Sequence, residues 1–213
     1  MNRKPITYLY FPLLLLVSLW LVKLVEYGFG LQLTKFGIYP RAYNSLPNIL
    51  SAPFIHGSFK HLMSNSLPLF FLLVAIFYFY PKLAYQVIVY SWLLSGFGLW
   101  LGGRYAWHIG ASGLVYALAV YHLVSAALQR DIRLVAFSML IIFLYGSMIW
   151  GFFPEFFPEQ RISWQAHLTG AVVGALFAFF FHHYAPKSKQ YFQDENDNED
   201  DEIDPENPPY WMK

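Results

Sequence analysis

The sequence predicts an all-α polytopic membrane protein, a bundle of six transmembrane helices followed by an acidic tail.

 Three observations predict this class. Of the 213 residues, 57% are apolar and only 13% are charged, whereas globular proteins carry about 25% charged residues. Apolar runs long enough to cross ~30 Å of hydrocarbon recur along the chain, and nine of the 13 acidic residues fall in the last 20. A body this apolar is stable where its surface can face lipid.

Six apolar runs set the expected helix boundaries, at residues 7–27, 60–80, 84–101, 112–128, 134–152 and 163–184. We therefore expect a six-helix membrane domain over residues 1–185. The segment 186–213 is acidic and lacks apolar periodicity before Tyr210. Such a composition cannot bury enough surface to offset the entropy of ordering, so it predicts a disordered cytosolic tail.

An even number of spans places both termini on the same side of the membrane. With cytoplasmic termini, the inner connections and ends carry seven Lys and Arg residues against five outside, a small bias in the sense of the positive-inside rule. We expect a multi-pass protein of the cytoplasmic membrane. The connection of about 30 residues between the first two helices then lies outside, and a loop of that length usually has a function.

The composition and the motifs exclude several classes of function. Without cysteine the chain has no disulfides, thiolate zinc sites or thiol nucleophiles. It contains no phosphate-binding G-x-x-x-x-G-K-[ST] motif, no dinucleotide-binding glycine motif followed by an acid, and no H-E-x-x-H zinc motif. No basic cluster exceeds two adjacent residues, which disfavours nucleic acid. We predict no metal, no cofactor and no nucleic-acid partner, and the sequence specifies no oligomeric state.

The first candidate site residue is Ser112, which lies in a G-A-S-G sequence at the start of the fourth run. The flanking Gly110 and Gly113 would expose the serine hydroxyl and its backbone N–H together. Small residues also let membrane helices pack closely, so this motif taken alone favours packing over catalysis.

The second candidate is His167, one turn before Gly170 on a face of small residues. Such a face lets a neighbouring helix approach until an imidazole can reach a hydroxyl; a histidine bonded to a backbone carbonyl is the alternative. Ser112 lies 18 residues from Arg130 and His167 lies 15 residues from His182, or ~27 and ~22 Å along a helix. These matching depths favour a Ser112–His167 pair.

The third and fourth candidates flank this pair. His61 and Asn65 are four residues apart and share one face at the start of the second run, where both could donate to the oxyanion of an acyl-transfer intermediate. Tyr116 lies one turn beyond Ser112, so its ring could pack on His167 or serve in ordinary aromatic packing. We interpret the remaining outer and inner histidines as interfacial: His56, His108, His182 and His183.

No carboxylate falls within a span at the depth of Ser112, so a triad lacks its acid. Glu26 ends the first helix, Asp131 lies at the opposite face, and Glu155 and Glu159 lie in a proline-containing loop. The simplest mechanism is a dyad, in which His167 takes the proton of Ser112 and the serine attacks a carbonyl.

Three motifs in a fixed order within six helices resemble the compact bacterial type of rhomboid intramembrane serine protease. The motifs are H-G-S-F-K-H-L-M-S-N, G-A-S-G and A-H-L-T-G-A-V-V-G. The resemblance covers about residues 7–184. It implies Ser112 as nucleophile, His167 as general base, and His61 and Asn65 as oxyanion donors, with Tyr116 packed on the histidine. It also implies single-pass transmembrane proteins as substrates, cleaved near their outer ends.

The resemblance further implies that the fifth helix and residues 151–163 form the substrate gate and lid. One departure is a Tyr39-Pro40-Arg41 sequence where many relatives carry a Trp-Arg pair in the first loop. Two other classes remain as alternatives: a catalytically silent scaffold that binds transmembrane helices on the same fold, and a small proton-coupled transporter. The transporter is disfavoured because the chain lacks internal repeats and intramembrane acids.

Overall fold

The apolar runs of the sequence form α-helices. The computed structural model describes residues 8–145, 153 and 163–184. Within these residues it contains six α-helices and no β-strand beyond an isolated bridge between Ile38 and His108. The helices are α1 (Tyr10–Gly28), α2 (Phe59–Phe79), α3 (Ala84–Gly102), α4 (Ser112–Gln129), α5 (Ile132–Tyr145) and α6 (Trp164–Phe181). The prediction of an all-α fold is confirmed.

Five of these helices, α1 to α4 and α6, are long and apolar enough to cross a membrane. Helix α5 is apolar over its 14 described residues and starts at Ile132, two residues before its predicted start. The protein is therefore a multi-pass membrane protein. The predicted end of the fifth span at 152, the domain boundary at 185 and the tail over 186–213 lie outside the described residues.

Helix α4 forms the centre of the bundle. It packs against α2, α3, α5 and α6, and most of its side chains are buried, including Leu118 and Tyr121. Helix α1 lies at the periphery against α2, with apolar side chains such as Leu14 largely exposed. That exposure suits a helix whose outer face contacts hydrocarbon rather than water.

Helices α4 and α6 approach each other along a stripe of small residues. A Cβ added to Gly170 would overlap the carbonyl oxygen of Gly113, and one added to Gly174 would overlap that of Ala117. Only glycine therefore fits at these two positions of α6. This close approach determines the depth at which residues on α6 meet residues on α4.

The first loop, residues 29–58, is built from three short 3₁₀ helices, Leu33–Phe36, Tyr43–Ile49 and Ala52–Phe54. Two indole N–H groups of α3 hold it to the bundle: Trp92 donates to the carbonyl of Ile49 (2.7 Å) and Trp100 to that of Ala42 (3.0 Å). The loop thus covers one end of α3. We call this end of the bundle the first-loop end.

Arg41 adds a third attachment of the first loop. Its backbone is left-handed, with φ of 60°, and its guanidinium donates to the carbonyls of Leu101 (3.1 Å) and Gly103 (2.9 Å) at the end of α3. The guanidinium carbon also lies 4.2 Å from the centre of the Tyr105 ring. Arg41, in the Tyr-Pro-Arg sequence that departs from many relatives, therefore binds carbonyls that the helix end leaves without partners.

Candidate active site

Ser112 is the first residue of α4 and lies at the first-loop end, partly exposed. The turn before it requires glycine, because Gly110 has φ of +102°, and the Gly110 N–H donates to the carbonyl of Ala52 (2.9 Å). Among the described residues, no side chain caps the start of α4. The first N–H groups of this helix are thus available to an incoming acceptor, at the positive end of the helix dipole.

The side chains of His61 and Asn65 lie against Gly110, two residues before Ser112. A Cβ added to Gly110 would lie 2.8 Å from Cε1 and 2.9 Å from Nε2 of His61, and 3.6 Å from Nδ2 of Asn65. Asn65 is buried, and its Nδ2 has no hydrogen-bond partner among the described residues. An unsatisfied buried donor is costly, and its place beside the Ser112 turn suits a group that binds a transient acceptor.

His167 lies on α6 and is buried at 7% exposure. The ring of Tyr116 stacks on its imidazole, with ring centres 4.1 Å apart and planes inclined by 7°. Tyr116 belongs to the same face of α4 as Ser112, one turn further along. The stacking therefore restricts the His167 ring to the plane that Tyr116 presents.

The close approach of α4 and α6 brings the two halves of the site to the same level. Gly170 contacts the carbonyl of Gly113, the residue after Ser112, and His167 lies one turn before Gly170. Just before α4, Gly110 lies against His61 and Asn65. All eight residues that the sequence identified therefore lie around the start of α4: Gly110, Ser112, Gly113, Tyr116, His61, Asn65, His167 and Gly170.

Two groups near the site were missed as contributors by sequence reasoning. Lys23 of α1 is buried, and its Nζ donates to the carbonyl of His56 (2.8 Å) and to Oε2 of Glu26 (2.7 Å). The His56 ring in turn lies 5.0 Å from that of His61. A buried ammonium requires such partners, so Lys23 fixes the segment that leads into His61.

The interpretation of His56 and His108 as interfacial residues is wrong. His56 is 1% exposed and His108 3% exposed, because the first loop folds over both. Burial, with a smaller contribution from His61, lowers the pKa of His56 to about 4. Burial also lowers the pKa of His108. Both imidazoles are therefore neutral at neutral pH.

The described carboxylates are committed elsewhere. Glu26 binds Lys23 and accepts from the N–H of Leu33 (3.2 Å), and Asp131 pairs with Arg133 at the other end of the bundle. Within the described chain no group of three His, Asp or Glu residues could hold a metal ion. Several predicted features lie outside the described residues: Glu155, Glu159, the end of the predicted gate, and the predicted lid over 151–163 apart from residues 153 and 163.

A small cavity of about 30 Å³ lies behind the Ser112 turn. Gly110 and Gly113 line one side of it, and Ser95, His108 and Ala166 line others. Its volume and its polar groups leave room for at least one water molecule.

Comparison with known proteins agrees with this architecture. The model of the rhomboid domain matches residues 43–184, which include every candidate site residue. The chain belongs to the rhomboid family. It is 31% identical over 177 residues to an uncharacterized protein of Mycobacterium tuberculosis, covering 80% of this chain and 73% of the relative.

Two further relatives extend the comparison. An uncharacterized protein of Mycobacterium leprae is 29% identical over 180 residues, which cover 80% of this chain and 69% of the relative. A protein of Acanthamoeba polyphaga mimivirus named "Putative rhomboid protein" is 26% identical over 140 residues, covering 63% of this chain and 74% of its own. The resemblance to the rhomboid family noted in the sequence is thereby confirmed.

Proposed function

We propose that this rhomboid protein is an intramembrane serine endopeptidase that hydrolyses peptide bonds in or near transmembrane helices of membrane proteins. The observation that supports this most is the unpartnered Nδ2 of buried Asn65 beside the turn that carries Ser112. A helix-binding scaffold would gain nothing from an unsatisfied donor at this place, whereas an oxyanion hole requires one.

In the proposed reaction, His167 accepts the proton of Ser112 Oγ while that oxygen attacks the carbonyl carbon of the scissile bond. The carbonyl oxygen becomes an oxyanion, which accepts hydrogen bonds from His61, Asn65 and the backbone N–H of Ser112. The protonated His167 then gives its proton to the leaving amine. This step leaves an acyl-enzyme on Ser112 and releases the C-terminal part of the substrate.

The second half of the reaction requires water. His167 takes a proton from a water molecule, whose oxygen attacks the acyl carbon. His167 then gives this proton to Oγ of Ser112 as the ester bond breaks, which frees Ser112 and releases the N-terminal part of the substrate with its new carboxyl group. The cavity beside Gly110 and Gly113 is a source of such a molecule close to the serine. Tyr116, stacked on His167, holds the imidazole in position through both halves.

The proposed substrates are single-pass transmembrane proteins, with membrane lipid surrounding enzyme and substrate. A transmembrane helix has each backbone carbonyl bonded within the helix, so a substrate must unwind locally before its carbonyl can reach Ser112. We assign the protein to the cytoplasmic membrane with both termini inside. This orientation follows the excess of Lys and Arg in the inner segments and opens the site to the outside.

The test is cleavage of a single-helix substrate in liposomes by wild type, Ser112→Ala and Ser125→Ala. Ser125 is a matched control, since it lies on the same helix, is buried, and faces Tyr80 and Tyr121 at the other end. Ser112→Ala removes the nucleophile and should abolish cleavage without changing the unfolding temperature, because the cavity it leaves is small. Ser125→Ala should cleave.

Equal cleavage by wild type and Ser112→Ala would contradict the proposal. A wild type that neither cleaves nor reacts with a serine-directed phosphonate would favour the silent helix-binding scaffold instead. Labelling of wild type that is lost in Ser112→Ala would support an enzyme whose substrate was not the one offered.

A further inference from the structure

His108 joins three segments of the chain at the first-loop end. Its backbone N–H and C=O pair with Ile38 of the first loop (2.8 and 2.9 Å). Its imidazole lies between two oxygens, with Nδ1 2.5 Å from Oγ of Ser163 and Nε2 3.0 Å from the carbonyl of Arg104. The side chain is 3% exposed, so these contacts are protected from competition by water.

Ser163, in turn, holds the start of α6. It immediately precedes this helix, and its carbonyl accepts from the N–H of Ala166 (3.0 Å) and of His167 (3.3 Å). The hydroxyl of Ser163 therefore binds His108 while its carbonyl binds the backbone of His167. His108 stands four residues before Ser112, and Ser163 stands four residues before His167.

We propose that the His108–Ser163 hydrogen bond is a positioning clamp that fixes His167 relative to Ser112. This inference rests on the proposed protease function. His108 and Ser163 are positioning residues in it, since they act through the backbone segments that carry the dyad. Neither residue is among those that the rhomboid resemblance identified.

The direction of the hydrogen bond follows from the surrounding groups. His108 is neutral at neutral pH because burial lowers its pKa, although the Arg104 carbonyl opposes this effect and the Arg104 charge adds to it. The carbonyl of Arg104 can only accept, so Nε2 carries the proton and donates to it. Nδ1 is then an acceptor, and the hydroxyl of Ser163 donates to it. One arrangement of protons satisfies both contacts.

The clamp adds a restraint that the closest contacts of the α4–α6 interface lack. Tyr116 of α4 stacks on the His167 ring, but the closest contacts are made by Gly170 and Gly174 against the backbone of Gly113 and Ala117. Such contacts fix how closely the helices approach, but they offer no interlocking side chain against rotation or sliding of α6. A directional hydrogen bond just before the first turn of α6 supplies that restraint. Misplacement of a catalytic group by about 1 Å can lower a rate by ~10².

The test compares kcat, KM and unfolding temperature for wild type, Ser163→Ala, Ser163→Thr, His108→Phe and the Ser163→Ala/His108→Phe double variant. Thr keeps the hydroxyl, and Phe keeps most of the ring volume without its nitrogens. His183→Phe is the matched control, because His183 is exposed at the opposite end of α6. The assay uses full-length protein in liposomes with a single-helix substrate, and Ser112→Ala as the inactive reference.

We expect Ser163→Ala and His108→Phe each to lower kcat about tenfold to 10²-fold, with KM within about twofold of wild type. Ser163→Thr should restore kcat. The double variant should be no slower than the slower single variant, because both substitutions remove the same bond. His183→Phe should match wild type in every respect.

Three results would overturn the clamp while leaving the protease intact: unchanged kcat in Ser163→Ala, additive losses in the double variant, or a loss that follows the unfolding temperature and is not restored by Thr. A wild type without cleavage and without phosphonate labelling would overturn the proposed function, and the clamp with it. The two failures are therefore distinguished by the wild-type measurement alone.

Discussion

The two ends of α4 both hold buried polar side chains, and each end has a buried nitrogen without a hydrogen-bond partner among the described residues, Nδ2 of Asn65 at one and Nε2 of His122 at the other. The ends differ in the exposure and the bonding of the groups around these nitrogens. At the first-loop end, Ser112 is partly exposed and Asn65 has a donor without a partner. At the other end, Gln129 donates to the hydroxyl of Tyr80 (2.9 Å), and Ser125 also bonds to that hydroxyl. Polar groups in this bundle thus form two different features, the proposed active site and an internal bond between helices.

The histidines of the two ends show the same contrast. His122 is 1% exposed, bonds through Nδ1 to the carbonyl of Leu118 one turn earlier (2.7 Å), and is surrounded by aromatic rings. His167 instead stacks on the ring of Tyr116, beside the start of α4. An intramembrane histidine is therefore informative only together with its access to an exposed nucleophile.

The largest expected effect comes from making the same substitution, histidine to asparagine, at His167 and at His122. His167→Asn should lower kcat at least ~10³-fold, because an amide cannot take the serine proton. His122→Asn should keep kcat within about threefold, because an amide can still donate to the carbonyl of Leu118 while general-base catalysis stays intact. Cleavage kinetics in liposomes measure both, and comparable losses of kcat in the two variants would remove the functional distinction between the ends.

A smaller effect is expected from the amides of the two ends. Asn65→Ala should lower kcat by about 10²–10³ with KM little changed, because it removes one donor of the proposed oxyanion hole. Gln129→Ala removes an amide that binds Tyr80, and it should affect the unfolding temperature more than kcat. If Asn65→Ala loses activity only in proportion to its folded fraction, Asn65 is structural and the two amides are equivalent.

The sequence predicts the helices, and it predicts that the candidate site residues lie close together, because both depend on short-range spacing. Apolar length sets the spans, the four-residue spacing of His61 and Asn65 sets a shared face, and small residues such as Gly170 indicate a close approach. Each signal lies within a single helix. Matching depths then suffice to bring Ser112 and His167 to one level.

The contacts of the loops could not be predicted in this way. Lys23 binds the carbonyl of His56, 33 residues away, and His108 binds Ser163, 55 residues away. These pairs depend on the path of the first loop, which Arg41 fixes through a left-handed backbone and bonds to the end of α3. No periodicity in the sequence indicates the path of this loop. The burial of His56 and His108 is therefore a finding of the structure alone.

The smallest effect concerns pH and the buried His56. Its pKa is lowered to about 4 by burial, then by His61 and by Lys23, against the carbonyl of Phe54, while an unfolded chain has a histidine pKa near 6.5. Above pH 6.5 both states are neutral and His56 adds no pH dependence. Between pH 6.5 and about 4 the unfolded state binds the proton more readily, so stability falls as pH falls.

Each unit of pKa difference corresponds to about 1.4 kcal/mol, so the loss of folding stability approaches about 3 kcal/mol near pH 4. His56→Asn removes the titrating group, so its unfolding temperature should fall less between pH 7 and 4 than that of wild type. His183→Asn, at an exposed position of the opposite end, should follow wild type. Parallel curves for all three proteins would show that His56 is protonated without cost, and the first-loop end would then be open to water around His56 as well as at Ser112.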